Sequence, residues 1–173
     1  TSLNKVTDTA SATAFDGAAE LAAVRSGNQV GATTALTTKA DTVNGTSGND
    51  TVTGTDTTLT AGDVIADGFA TDNDTLALTG AQFVNSIDTT NTTISGIENI
   101  TASFDSLTAF TWNLAGLADD SNITVSNVRA GSTANATVSN VTNNSTVNAG
   151  SGLAGDLAVT MDAANSSVTV NST

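Results

Sequence analysis

The sequence predicts an all-β protein, a β-solenoid or β-sandwich-like stack of short strands entered through Gly/Asp-rich turns, with one short N-terminal helix. Three observations predict it. In residues 45–78 glycines and aspartates alternate with isolated β-branched or aliphatic residues, the pattern of tight turns between short strands. From Ile123 onward short units repeat. Thr124-Val125-Ser126-Asn127-Val128 returns thirteen residues later as Thr137-Val138-Ser139-Asn140-Val141, and Ser145-Thr146-Val147-Asn148 is a looser copy. One such unit cannot bury its own apolar face, so consecutive units must stack. Third, the 38% hydrophobic content is mainly Ala, Val, Leu and Ile, with five Phe, one Trp and no Tyr, which restricts the core to a thin layer of small side chains.

Taken in order, residues 13–25 carry the helix pattern. Phe15, Ala18 and Ala22 fall near one stripe, Arg25 sits in the last turn and Gly27 supplies the stop. This helix is expected to cap the end of the β structure. Residues 35–43 read as a strand entering the Gly/Asp block. Residues 88–93 are polar and read as a loop. Ile94, Ile100 and Ala102 share one parity and Ile97 the other, which predicts a bulge or corner near Gly96. Phe110, Trp112 and Leu114 alternate as a strand whose large side chains fill the core. Residues 167–171 form a last strand with no polar capping unit, an edge expected to dock on a neighbour or continue in a longer polypeptide. The chain divides into an N-terminal helix and lead-in strand (1–40), a Gly/Asp β region (41–117) and a repetitive stacked-strand region (118–173).

Charge narrows the chemistry. Seventeen acids against four basic residues give a formal net charge of −13. The basic residues Lys5, Arg25, Lys39 and Arg129 are scattered, so nucleic acid is not expected as a partner. There is no Cys and no His, which leaves oxygen ligands and hence Ca²⁺-like or Mg²⁺-like ions. No apolar run is long enough to predict a transmembrane segment. Without His, Cys or Tyr, a hydrolase would need paired carboxylates or a metal-activated water, and no enzymatic activity is expected.

The candidate ligands follow from spacing. Residues 45–53 fit the nonapeptide Gly-Gly-x-Gly-x-Asp-x-aliphatic-x, with Thr46 at the second glycine and Asp50 at the acidic position. Asp63, Asp67, Asp72 and Asp74 then fall within twelve positions, with Gly68 allowing a reversal. Carboxylates brought this close repel unless a cation neutralises them or they point apart into solvent. Calcium is therefore the expected cofactor. Asp119-Asp120 reads as a solvated turn.

Residues 42–52, 58–65, 72–78 and 94–100 together resemble bacterial surface-layer proteins and related repeats-in-toxin surface proteins. The likeness spans residues 36–117 and, more loosely, the repeats beyond. Ala66 and Ala70 depart from it, standing where the motif tends to have Asp or Gly. The resemblance implies Asp50, Asp63, Asp72 and Asp74, with Asp67, as calcium ligands, and type I secretion. It further implies an extracellular, bacterial cell-surface structural protein that self-assembles as a homo-oligomer, lattice or filament. Calcium-mediated contact with a cell-surface polysaccharide is a further expected partnership. The alternative is a segment of a secreted adhesin or a filament subunit that binds a host or matrix ligand.

Overall fold

The computed structural model describes residues 30–69, 71–82, 86–142, 144–162 and 167–171. The helix expected within residues 13–25 lies outside them. The strands are β1 (Thr33–Ala35), β2 (Thr42–Asn44), β3 (Thr51–Thr55), β4 (Val64–Ala66), β5 (Thr75–Gln82), β6 (Ser86–Asp88), β7 (Thr93–Ser95), β8 (Asn99–Asp105), β9 (Phe110–Asn113), β10 (Asn122–Asn127), β11 (Ala136–Val141), β12 (Thr146–Ala149), β13 (Leu157–Met161) and β14 (Thr169–Asn171). Among the described residues there is no helix, and so none long and apolar enough to cross a membrane.

Every strand pair is parallel, and the chain winds as a β-solenoid of about five turns. Three sheets form its walls. The longest has the order β1-β3-β5-β8-β10-β12-β14, the second β13-β11-β9-β6 and the third β2-β4-β7. In-register pairing stacks like on like. Val52, Leu76, Ile100, Ile123 and Val147 form one inward column of the long sheet, spaced by 23 or 24 residues. Val43, Ile65 and Ile94 form the matching column of the third sheet, extended by a bridge from Ile94 to Leu117. These side chains alternate with outward Thr, Ser and Asn, as period-two strands with one buried face require.

Phe104, Phe110 and Trp112 are the largest side chains of the core. Phe104 and Phe110 stack with centroids 4.2 Å apart, and Phe110, Trp112 and Leu114 are fully buried. The corner expected near Gly96 is present between β7 and β8. Gly96 has φ +65 and Ile97 turns inward to 3% exposure.

Three expectations are revised. Residues 35–43 are two strands, β1 and β2, with a corner between them, because Leu36 turns into the core and Thr37 hydrogen-bonds to Asp41. The thirteen-residue repeat is not the stacking unit. Thr124 pairs with Thr101 and Asn148 in the long sheet, whereas Thr137 lies in the second sheet beside Thr111 and Ala158. Thirteen residues therefore carry the chain from one wall to another within a turn. The loop expected at 88–93 is narrower, a turn between β6 and β7. In the long sheet β8 pairs with β10 over six residues.

Candidate metal centre

The acids gather where the third sheet turns into the long sheet. The residue before each long-sheet strand holds the turns together. The N–H of Ala32 donates to Asp50 Oδ1, that of Asp50 to Asp74 Oδ1 at 2.8 Å, and that of Asp74 to Glu98 Oε2 at 2.7 Å. Two turns on, the N–H of Ser121 donates to Ser145 Oγ at 3.1 Å. A strand's first amide points along the solenoid axis, so a short acceptor one turn further on satisfies it. Glu98 was not among the expected site residues. The 24-residue spacing of Asp50, Asp74 and Glu98, each followed by a Thr or Asn and an aliphatic residue, was the signal for it.

A second column runs along the same corner one step earlier in the chain. Gly45, Asp67 and Gly96 follow paired residues of β2, β4 and β7. The Gly45 N–H donates to Ala66 O at 2.8 Å and the Asp67 N–H to Ser95 O at 3.0 Å. A Cβ on Gly45 would stand 2.3 Å from Asp67 Oδ1, and one on Gly96 2.2 Å from Asp67 O. Glycine at 45 leaves room for the Asp67 side chain, and glycine at 96 leaves room for the Asp67 backbone. Asp119 continues the column and accepts the Gly96 N–H at 2.8 Å, and Asp120 accepts from Asn144 Nδ2 at 3.3 Å.

The structure brings Asp50, Asp67 and Asp74 together, with one ligand oxygen of each lying within 4.8 Å of the others. Asp72 stands in the same loop, residues 67–74, and its charge acts on Asp74, but its oxygens are outside that grouping. Asp63 is elsewhere. It precedes β4, whereas Asp67 follows it, so a strand of roughly 13 Å separates them. Its carboxylate is fully buried and engaged by Thr60 N–H at 2.7 Å, the Thr60 hydroxyl at 3.1 Å and the Asp41 N–H at 2.8 Å. Asp63 is thus a cap on backbone amides at the opposite end of β4.

Hydrogen bonding divides the remaining acids. Asp50 accepts from the N–H groups of Ala32 and Thr46 and from the Thr46 hydroxyl. Burial pushes its carboxyl up, and these three bonds outweigh burial and hold it below its ordinary value. Asp74 is fully buried. Burial pushes its carboxyl up, the Asp50 N–H offsets part of this, and the charges of Asp67, Asp72 and Asp50 add to the rise, leaving it at about 6. Four buried carboxylate oxygens have no hydrogen-bond partner: Asp67 Oδ1, both oxygens of Asp72 and Asp74 Oδ2.

Orphaned buried carboxylate oxygens are costly in a folded protein. An all-oxygen anionic set of this kind suits a hard divalent cation. A cavity of about 10 Å³ adjoins the cluster at Asp50 and Asp74, but its lining is largely apolar and includes neither Asp67 nor Asp72, so the fit to an ion rests on the unpartnered oxygens. The residues present therefore fit a metal ion. Beside them an open groove of about 330 Å³ is lined by Asp67, Gly68, Phe69, Ser95, Gly96, Glu98 and Asp119. Comparison with family models, with curated proteins and with solved structures finds no match for this chain.

Proposed function

We propose that the chain is a calcium-dependent, noncatalytic structural protein of a bacterial cell surface, self-assembling into a surface layer. The observation that carries this reading is the set of four buried, unpartnered carboxylate oxygens at one corner of the solenoid. A bound Ca²⁺ would neutralise Asp67, Asp72 and Asp74, fix the loop they share and lower the net charge that keeps copies of the chain apart. The parallel solenoid is compatible with the repeats-in-toxin likeness.

Assembly draws support from the long sheet. Asp105 is the one ionisable residue within its seven strands, and it pairs with Arg129 at 2.6 Å. A chain of net charge −13 thus carries a broad wall of Thr, Ser and Asn at which copies meet without apposed carboxylates. A calcium-bridged contact with a cell-surface polysaccharide belongs to the same reading. The second reading, a segment of a secreted adhesin that binds a host or matrix ligand, is favoured by the open groove beside the half-exposed Phe69.

The test is sedimentation and electron microscopy of the protein with calcium and with chelator. Ordered assemblies that form in calcium and dissolve in chelator support the surface-layer reading. A calcium-bound protein that stays monomeric at high concentration favours the adhesin segment.

A further inference from the structure

The four orphaned oxygens all belong to residues of one loop, 67–74, which joins β4 to β5. The equivalent connection in the next turn, residues 96–98 between β7 and β8, is much shorter. The extra length carries Gly68 and Asp72. Asp50, on the neighbouring turn, differs from the other three. Both its oxygens are engaged, one by the Ala32 N–H and the Thr46 hydroxyl and the other by the Thr46 N–H. These three bonds take three of the four lone pairs of the Asp50 carboxylate, whereas Asp74 Oδ2 is enclosed in a fully buried residue and accepts from nothing.

Resting on the calcium reading above, we propose that the ion is held within this single loop by Asp67, Asp72 and Asp74, and that Asp50 is a positioning residue. The Asp50 N–H occupies Asp74 Oδ1 at 2.8 Å and thereby directs Oδ2 toward the ion. The Asp67 carboxylate is oriented in the same way. The Phe69 N–H takes its Oδ2, and the absent Cβ of Gly45 leaves room for its Oδ1. Asp67 and Asp74 thus each have one oxygen tied by a backbone N–H, as a prearranged coordination shell requires. Asp72 brings two buried oxygens with no such tie. The ion on this account organises a loop and does not bridge successive turns.

The experiment is an NMR titration of the isotopically labelled full chain with CaCl₂, following the side-chain carboxyl carbons, paired with calorimetry on Asp72→Asn and Asp50→Asn. Each variant is first checked for an unchanged β spectrum by circular dichroism. The expected result is that the Asp67, Asp72 and Asp74 carboxyl carbons shift with calcium while that of Asp50 stays in place. Asp72→Asn should lose more than the roughly 10–100-fold in affinity that an outer partner is worth, and more than Asp50→Asn loses. If Asp50 shifts and Asp72 does not, or Asp72→Asn binds as tightly as the wild type, the one-loop assignment is overturned and the calcium reading stands. A wild type that takes up no calcium overturns both.

Discussion

The backbone N–H of Asp50 donates to Asp74 Oδ1 at 2.8 Å, and the other oxygen of Asp74 is left fully enclosed with no partner. This bond joins two turns of the solenoid and stands beside a buried oxygen that a cation could satisfy. Substituting Asp74 should therefore act in opposite directions with and without metal. Asn at position 74 keeps an acceptor for the Asp50 N–H and removes the charge. In chelator, Asp74→Asn should be more stable than the wild type by about 3 kcal/mol, the worth of a rise from 3.8 to about 6. In calcium the order should reverse. Urea unfolding under both conditions checks the crossing.

The same group sets a pH dependence. The folded-state value of Asp74 lies above its unfolded value, so between 3.8 and about 6 the folded protein binds more protons than the unfolded chain. Without metal, its contribution should favour folding below 3.8 and be lost as pH rises through about 6. Asp50, held below its ordinary value, acts in the opposite sense: its stabilisation is present above 3.8 and is lost as pH falls further. Chelated protein should thus gain stability on acidification from neutral pH toward 4, and calcium affinity should fall over the same range. Denaturation midpoints measured across that range, with and without calcium, read both.

Two glycines in one column separate site from fold. Gly45 is not among the residues of positive φ, and an added Cβ would press mainly on the Asp67 carboxylate. Gly45→Ala should weaken calcium binding and, because the Asp67 Cβ at 2.8 Å must also give way, lower chelated stability, though less than Gly96→Ala does. Gly96 has φ +65 and its added Cβ would meet the Asp67 backbone. Gly96→Ala should cost about 1–3 kcal/mol in calcium and in chelator alike.

The neutral wall of the long sheet yields a prediction for assembly. Thr124 lies in an outward column with Thr101 and Asn148. Thr124→Glu places a carboxylate in the middle of that wall, far along the chain from the 67–74 loop. Calcium affinity should be unchanged and assembly lost, as read by light scattering.

Much of this architecture was legible in the residues. Alternating small aliphatics with Thr and Asn specify short strands, and the inability of each unit to bury its own face requires stacking. The corner at Gly96 followed from the broken parity of Ile97. The true repeat was harder to see, because the inward column varies as Val, Leu, Ile, Ile and Val and the residue before each strand changes from Asp to Glu to Ser. The thirteen-residue echo at Thr124 and Thr137 was clearer to the eye and marks only the passage from wall to wall. At the site, nearness in sequence misled. Asp63 and Asp67 are four residues apart, yet the intervening strand β4 places them at opposite corners, whereas Asp50 and Asp74, 24 residues apart, are in contact. One further expectation, docking at the last strand, concerns β14, whose Val170 is 47% exposed at the edge of the long sheet.

The most direct test of the account is thermal unfolding of the full chain in excess calcium against the same protein in chelator. At a calcium concentration about 100 times its dissociation constant, binding to the folded state alone contributes about 2.7 kcal/mol, or a rise in Tm of roughly 5–10 °C for a chain of this size. The account predicts that rise, and predicts that Asp74→Asn abolishes it. Superimposable melting curves for the wild type in calcium and in chelator would contradict it.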